Sequence, residues 1–311
     1  MGPRWYNRRL HFIAEDACLL QQMPELTTSP PVGAGRVALT LEYDGSRFHG
    51  WQYQKSGIPS VAGDLAQAVA HVANHPVELV CAGRTDAGVH ASYQVVHFDT
   101  PANRSLRAWV LGINSALPSD IAVHWAGNVP ADFHARFSAR VRRYRYLILN
   151  HSVRPALYRD QVSWSFRPLD TQRMSDAAQC LIGEHDFSAF RAAGCQSNSP
   201  NRLVTDVKVF RRGAFVLIDI AANAFLHHMV RNLAGSLMAV GSGRQSVAWM
   251  KDVLESRDRT QAAVTAPAGG LYLVDVQYPD FPVIPRPAIG PTLLQGWGGE
   301  QTANWVEAPG P

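Results

Sequence analysis

Lysine is scarce in this 311-residue sequence. Only Lys55, Lys208 and Lys251 occur among the 29 basic residues, so the others are arginines. The planar guanidinium group suits bidentate contacts with phosphate and stacks on bases. Together with a net charge of +4 and a pI of about 9.0, this bias favours an RNA partner. An arginine-rich genome explains the same excess equally well.

Long apolar runs and paired cysteines are also missing. No segment approaches the ~18 apolar residues of a membrane span, and the N-terminus has no apolar stretch long enough for a secretion signal. The cysteines, Cys18, Cys81, Cys180 and Cys195, are scattered and form no Cys-x-x-Cys pair. This spacing predicts reduced thiols in a cytoplasmic protein and argues against a zinc site. With 46% hydrophobic residues, the chain can bury a full core.

The segment 81–91 carries the most informative chemistry. It lies between two apolar runs and contains Gly83, Arg84, Asp86 and Gly88. Glycines allow backbone angles and close approaches that a β-carbon prevents, so the pattern predicts a loop shaped to present Asp86. Arg84 can keep that carboxylate ionised or bind a phosphate. A tight loop with an Asx-turn and a solvated arginine fits the local spacing equally well.

Hydrophobic periodicity predicts the same order of elements in both halves of the chain. In the first half, strands are predicted at 37–43, 77–82, 95–98 and 121–125, and Ser60 and Ser105 are predicted helix caps. In the second half, strands are predicted at 141–149, 203–210, 214–221 and 271–276, with helices after Asp170 and over 225–238. Each half then has the βαββαβ order of a ferredoxin-like unit.

This order predicts an α+β fold. Two ferredoxin-like, RRM-like βαββαβ halves are expected to join through a mixed, mostly antiparallel sheet with a central cleft. The predicted divisions are a disordered extension at 1–35, an N-terminal domain at 36–130, a C-terminal domain at 131–281 and a tail at 282–311.

Two further segments place polar side chains near the expected cleft. The helix at 225–238 would direct His228 and Arg231 towards it, although ordinary surface or core histidines remain an alternative. Adjacent His227 and His228 are expected to point in different directions and not to form a metal pair. Interleaved arginine and tyrosine around Tyr144 are typical of an RNA surface, but tyrosines in a half-buried strand fit as well.

Several sequence blocks resemble the tRNA pseudouridine synthase A (TruA-type) family. The central block is Gly-Arg-Thr-Asp-Ala-Gly-Val-His at 83–90. The others occur in family order at 42–46 with 50–52, 132–139, 143–146, 223–232 and 270–273. The resemblance covers roughly residues 36–282, and such an ordered set is far more specific than a lone glycine motif.

This resemblance implies an isomerase that converts uridine to pseudouridine in the anticodon stem-loop of tRNA, at positions 38, 39 and 40. By analogy, the catalytic residues are Asp86, Tyr144 and Arg231: Asp86 is the nucleophile, Arg231 pairs with it, and Tyr144 packs against the target base and can assist proton transfer. Arg84 holds the place of the flipped-out nucleotide. The implied tRNA contacts are Arg84, Arg104, Phe133, His134, Ala135, Arg136, Phe137, Tyr144, Gly194, Cys195, Gln196, Ser197 and Asn198. The family also implies a homodimer that grips one tRNA, with no metal and no cofactor.

Two other functions compete with this interpretation. A non-catalytic RNA-binding protein built from two ferredoxin-like units would show the same arginines and tyrosines, but it leaves Asp86 without a role. A hydrolase with an aspartate nucleophile would need a second acid and a magnesium site. Asp86 has no acidic neighbour in its loop, which argues against the hydrolase.

Overall fold

The structure is a computed structural model that describes residues 35–54, 57–286 and 290–291. The predicted extension up to residue 34, and most of the predicted tail from residue 282, lie outside the described residues. Within the described part of the chain, no helix has the length and apolarity needed to cross a membrane.

The first half has the predicted elements. In order they are β1 (Gly35–Tyr43), α1 (Val61–Ala73), β2 (Val80–Cys81), β3 (His90–Thr100), α2 (Leu106–Ala116) and β4 (Ile121–Val129). Both helix caps are confirmed, because the side chains of Ser60 and Ser105 accept hydrogen bonds from the backbone N–H groups of Gly63 and Ala108. The predicted strand at 77–82 is shorter than expected, since only Val80–Cys81 pairs with β3.

The second half adds short elements to the predicted order. Its elements are β5 (Val141–Asn150), β6 (Ser163–Ser165), α3 (Thr171–Ala178), β7 (Gly183–Asp186), β8 (Asn201–Arg212), β9 (Phe215–Ala222), α4 (Met229–Gly241), α5 (Trp249–Ser256) and β10 (Leu271–Gln277). Asp170 caps α3 as predicted. The predicted start of α4 at residue 225 is wrong: the helix begins at Met229, because His228 has a left-handed backbone with φ 60°.

The ten strands in the described part of the chain form one sheet. Its main path runs β4-β1-β3-β10-β5-β9-β8-β7, with β2 paired to β3 and β6 paired to β5. The first half contributes the order β4-β1-β3-β2 and the second half the equivalent order β10-β5-β9-β8. A short parallel pairing of Tyr272 with His90 and Leu273 with Ala91 joins the halves. The predicted fold class is confirmed, while the domain boundaries at 130 and 281 stay predictions.

Strand β5 is buried on both faces. Tyr144 and Tyr146 point into the main core, and on the other face Arg145 is 1% exposed and pairs with Asp219. The interpretation of this strand as an open RNA surface is therefore wrong, and the alternative of core tyrosines is confirmed.

Helix α4 is buried on nearly every side. A β-carbon on Gly235 would lie 2.1 Å from the carbonyl oxygen of Val264. Asn232 is fully buried and donates to the carbonyl oxygen of Phe190 at 2.7 Å. Only the N-terminal end of α4 therefore reaches the site that contains Asp86.

Candidate active site

Asp86 sits in the loop between β2 and β3. The carbonyl oxygen of Asp86 accepts a hydrogen bond from Val89 N at 3.1 Å, which closes a turn. Gly88 adopts φ +75°, a region that favours glycine, and its N–H donates to Phe48 O at 3.2 Å. The Asp86 side chain remains 27% exposed, so the loop presents the carboxylate to the outside as predicted.

The segment that follows β1 packs directly against this loop. Trp51 N donates to Thr85 O at 2.9 Å, and the hydroxyls of Tyr43 and Thr85 are hydrogen-bonded at 2.9 Å. Gly50 has φ +95°, and a β-carbon there would lie 2.8 Å from Thr85 O. The two sequence blocks at 42–46 and 50–52 thus support the backbone of the Asp86 loop from one side.

Two side chains from the sheet support the loop from beneath. Buried Gln94 donates to Gly83 O at 2.7 Å. Arg142 donates to Ala82 O, and also to the carbonyl oxygens of Ala139 and Asn223 at 3.0 and 2.8 Å and to that of Arg136. Burial lowers the pKa of Arg142, which reflects how much of this guanidinium is removed from water.

Arg142 therefore connects three segments of the site, namely the Asp86 loop, the loop at 131–139 and the turn at 223. The sequence pattern did not predict this structural role for Arg142. The available signal was its place two residues before Tyr144, on the same face of β5.

Three cationic or titratable side chains surround the Asp86 carboxylate. Arg231 Nη1 lies 3.7 Å from Asp86 Oδ2, and its Nε is held by Ala266 O at 2.9 Å. The Nε2 atoms of His227 and His228 lie 3.4 Å from Oδ1 and Oδ2, respectively. The family resemblance implied that Arg231 pairs with Asp86, and the structure places the two side chains in contact.

Arg84 does not take part in this cluster. Its side chain is exposed, and the ion pairs that reach Asp86 from the described residues come only from the two histidines and Arg231. Of the two roles considered for Arg84, holding the carboxylate does not apply, and contact with a phosphate remains.

The prediction that His227 and His228 diverge is wrong. It assumed a helix through both residues, but α4 begins after them and φ at His228 is positive. Both rings therefore turn towards Asp86, with ring centroids 4.0 Å apart. Burial lowers the pKa of the His228 imidazole, against the opposing effect of the Asp86 charge. The neutral form of His228 is thus favoured near pH 7.

Tyr144 forms the floor beside the Asp86 loop. It is 9% exposed, and its ring meets Phe225 edge-on at a centroid distance of 5.0 Å. The hydroxyl lies 3.7 Å from the place that a β-carbon on Gly83 would occupy. Burial, and then the Asp86 charge, raise the pKa of Tyr144. Its phenol therefore keeps its proton at neutral pH and can donate a hydrogen bond, but it is a poor base.

The loop at 131–139 divides into buried and exposed side chains. Phe133 and Ala135 are fully buried, so their side chains belong to the core and do not form a surface that tRNA can touch. Phe137 is 73% exposed and stacks on His134 at a centroid distance of 4.3 Å. The Arg136 guanidinium lies 5.5 Å from the Phe137 ring. This exposed set matches the chemistry of base stacking and phosphate contact.

The remaining predicted contacts lie in two places. Arg104 donates to Val72 O at 3.1 Å and thus binds the end of α1. In the loop at 194–198, Cys195 Sγ accepts a hydrogen bond from His227 N at 3.4 Å, so this loop borders the histidine pair. Burial acts to raise the pKa of the Cys195 thiol, but hydrogen bonds from the backbone of His227 and Ser197, and the Arg191 charge, lower it overall.

Comparison with known proteins identifies relatives across most of the chain. The family model described as tRNA pseudouridine synthase matches residues 40–138 and 177–279. Proteins named tRNA pseudouridine synthase A align from Pseudomonas aeruginosa at 52% identity (88% of this chain, 96% of the relative), from Shewanella amazonensis at 57% (83% and 99%) and from Klebsiella pneumoniae at 56% (83% and 96%).

Proposed function

This chain belongs to the tRNA pseudouridine synthase family, and on that premise we propose that it modifies the anticodon stem-loop of tRNA with Asp86 as its nucleophile. Family membership makes the chain an isomerase that acts on tRNA uridines. The target positions 38, 39 and 40 and the roles of individual residues are our proposal.

The proposal rests above all on the position of the Asp86 carboxylate. It is partly exposed, its loop is fixed from two sides, and Arg231 lies 3.7 Å away. A guanidinium at this distance faces the carboxylate and can offset negative charge there. A charged carboxylate can form a covalent bond with the ribose or the base, or stabilise the cleaved sugar.

The reaction is an isomerisation in which no atom is gained. The bond between ribose C1′ and uracil N1 breaks, the base turns, and a bond forms between C1′ and C5. The proton on C5 leaves and N1 ends protonated, so the mass of the nucleoside is unchanged. Arg231 offsets the carboxylate charge, and the Tyr144 ring, which Phe225 meets edge-on, gives the uracil an apolar wall.

The target uridine must leave the base stack before Asp86 can reach it. We assign contacts with the surrounding RNA to exposed groups beside the site, namely Arg84, Arg136 and Phe137 with its stacked partner His134. Arg104, which binds the end of α1, and the loop at 194–198, which borders His227, are also assigned contacts with tRNA. Phe133 and Ala135 are left out of this surface, because both are fully buried, and they serve instead to anchor the loop.

The direct test is pseudouridine formation in unmodified tRNA by the wild type and by Asp86→Asn. We expect tritium release from 5-tritiated uridine, with pseudouridine mapped to positions 38–40, for the wild type only. Binding of tRNA by the variant should persist, because asparagine keeps the size of the side chain and the backbone contacts of the loop are unchanged. Turnover by Asp86→Asn would refute the nucleophile, and pseudouridine elsewhere in the tRNA would refute the target.

Two broader features stay predictions. We propose that two copies of the chain grip one tRNA, which light scattering of the protein with and without tRNA can measure. A cytoplasmic location is proposed from the scattered cysteines, and fractionation of cells that express the chain would test it.

A further inference from the structure

The side chains of Asp86, His227 and His228 form an unassigned group of metal-binding donors. One donor atom from each lies within 4.8 Å of the other two. Both histidines approach the carboxylate at 3.4 Å, one at each oxygen. In the part of the chain that the structure describes, this is the one such group of three histidine, cysteine or acidic side chains.

The backbone conformation directs the side chains of His227 and His228 towards Asp86. His228 adopts φ +60° immediately before α4, and its carbonyl oxygen accepts the Asn232 N–H at 2.9 Å. His227 is fixed on both sides, because its N–H donates to Cys195 Sγ at 3.4 Å and its carbonyl oxygen accepts from Ala192 N at 3.0 Å. A left-handed non-glycine residue persists only where its surroundings stabilise it, and such residues cluster at functional sites.

From this geometry we infer that Asp86, His227 and His228 form a binding site for a divalent first-row cation such as Zn²⁺. Two imidazoles and a carboxylate are a preferred ligand set for these ions. Bonds of about 2.0–2.2 Å in a tetrahedral site place neighbouring ligand atoms roughly 3.3 Å apart. Each histidine lies 3.4 Å from a different oxygen of the Asp86 carboxylate, and one donor atom from each of the three residues lies within 4.8 Å of the others. Small side-chain rotations therefore bring the three donors to the spacing of one ion.

Solvent can reach the site, but the charge of Arg231 opposes cation binding. The Asp86, His227 and His228 side chains are 27%, 42% and 28% exposed, so an ion can enter from solvent. Arg231 Nη1 lies 3.7 Å from Asp86 Oδ2 and carries a positive charge that competes with the ion. Cation binding therefore requires the Asp86–Arg231 contact to lengthen.

A cation held here occupies the carboxylate that we propose as the nucleophile. It would act as an inhibitor and not as a cofactor, and the fourth position on a tetrahedral ion would remain open to water. The inhibitory consequence rests on the proposed function, whereas cation binding depends only on the three donors.

The test uses ZnCl₂ as the probe and the full chain freed of metal with a chelator. Isothermal titration and elemental analysis should give one high-affinity zinc per chain. Removing a group that merely orients a ligand costs about 10–100-fold in affinity, so His227→Ala, His228→Ala and Asp86→Asn should each lose at least about tenfold. His71→Ala, an exposed histidine on α1, is the matched control and should bind like the wild type.

Circular dichroism reports whether each variant is folded, and His227→Gln and His228→Gln provide replacements of similar volume. Absence of zinc uptake by the wild type overturns the inference, as does unchanged affinity in any of the three variants. If Cys195→Ser abolishes binding while His228→Ala does not, the ligand set is also wrong.

Activity assays separate this inference from the proposed function. If zinc binds to the wild type but Asp86→Asn still forms pseudouridine, the cation site is supported and the role of Asp86 as nucleophile is refuted. If zinc does not bind and Asp86→Asn is inactive, the cation site is refuted and the proposed function is supported. Where both hold, zinc should inhibit the wild type and a chelator should restore the rate.

Discussion

Arg142 holds the carbonyl oxygen of Ala82 with two nitrogens, Nε at 3.3 Å and Nη2 at 3.1 Å. The same guanidinium reaches two other segments of the site, so it fixes the height of the Asp86 loop above β5. Arg142→Lys removes the planar geometry but keeps the charge. We expect kcat to fall by about 100-fold, the typical cost of a misplacement of ~1 Å, with a small change in tRNA affinity.

The control for this substitution is Arg140→Lys, because Arg140 is exposed and pairs with Asp280 at 2.9 Å. It should leave kcat and the melting temperature near the wild-type values. Single-turnover kinetics and filter binding of tRNA make the comparison. Equal losses of binding and rate in Arg142→Lys would contradict a positioning role.

Replacing Arg231 tests its ion pair with Asp86. Arg231→Lys should fold but lose most of its activity, because one ammonium group cannot donate to Ala266 O and face Asp86 Oδ2 as the guanidinium does. Single-turnover rates measure the effect, with exposed Arg244→Lys as the control. A wild-type rate in Arg231→Lys would argue against the ion pair.

Tyr144→Phe separates the packing of the ring from the chemistry of its hydroxyl. Since burial raises the pKa of Tyr144, the phenol is unsuited to accept a proton. We expect the variant to fold and to retain pseudouridine formation within about tenfold of the wild type, whereas Tyr144→Ala should lose about 3–5 kcal/mol of stability. A rate loss as large as that of Asp86→Asn would show that the hydroxyl is essential.

His97 should make the loop at 131–139 sensitive to acid. Burial lowers the pKa of His97 to about 4, and its Nδ1 accepts the Ala135 N–H at 3.1 Å. Between about pH 6.5, the ordinary value, and pH 4, the unfolded chain binds a proton here and the folded chain does not. The free energy of unfolding should therefore fall as the pH decreases through this range.

Thermal melts at a series of pH values, with NMR titration of the His97 ring, measure this effect. His97→Gln keeps a hydrogen-bond acceptor without titrating, so its melting temperature should depend less on pH. If the NMR midpoint lies near 6.5, this explanation is wrong.

Gly50→Ala should disturb the Asp86 loop from the side of the 43–52 segment. Its φ of +95° strains an L-residue, and the new β-carbon would lie 2.8 Å from Thr85 O. The expected cost is about 1–3 kcal/mol, with a lower kcat. Gly57→Ala is a matched control, because φ there is +70° but nothing lies within 4 Å. Equal effects of the two substitutions would leave no role for the contact with Thr85.

Local sequence patterns predicted most of the strands and the caps of three helices. Alternating strands and the caps at Ser60, Ser105 and Asp170 were readable because each depends on neighbours within a few residues. The order of elements in each half then indicated the sheet. The boundary at His228 was missed because 225–238 has helical periodicity throughout, and periodicity does not report a single left-handed residue.

Long-range contacts account for the other misses. Arg142 binds carbonyl oxygens up to 81 residues away, and nothing in the sequence around β5 marks those partners. Phe133 occurs in the same block as exposed Phe137, but distant rings, including those of Tyr278 and Phe281 at 5.1 Å, enclose it in the core.

The joint between β3 and β10 has a consequence for how the protein is made on the ribosome. β10 is the last described strand in the chain, yet it occupies an inner position of the sheet, where it pairs with β3 on one side and β5 on the other. Asp86 is translated well before Arg231, and Leu271–Gln277 follows both. Among the described strands, only β10 joins the sheet that contains β3 to the sheet that contains β5. The two sides of the site are therefore joined through the sheet only after Leu271–Gln277 has been synthesised.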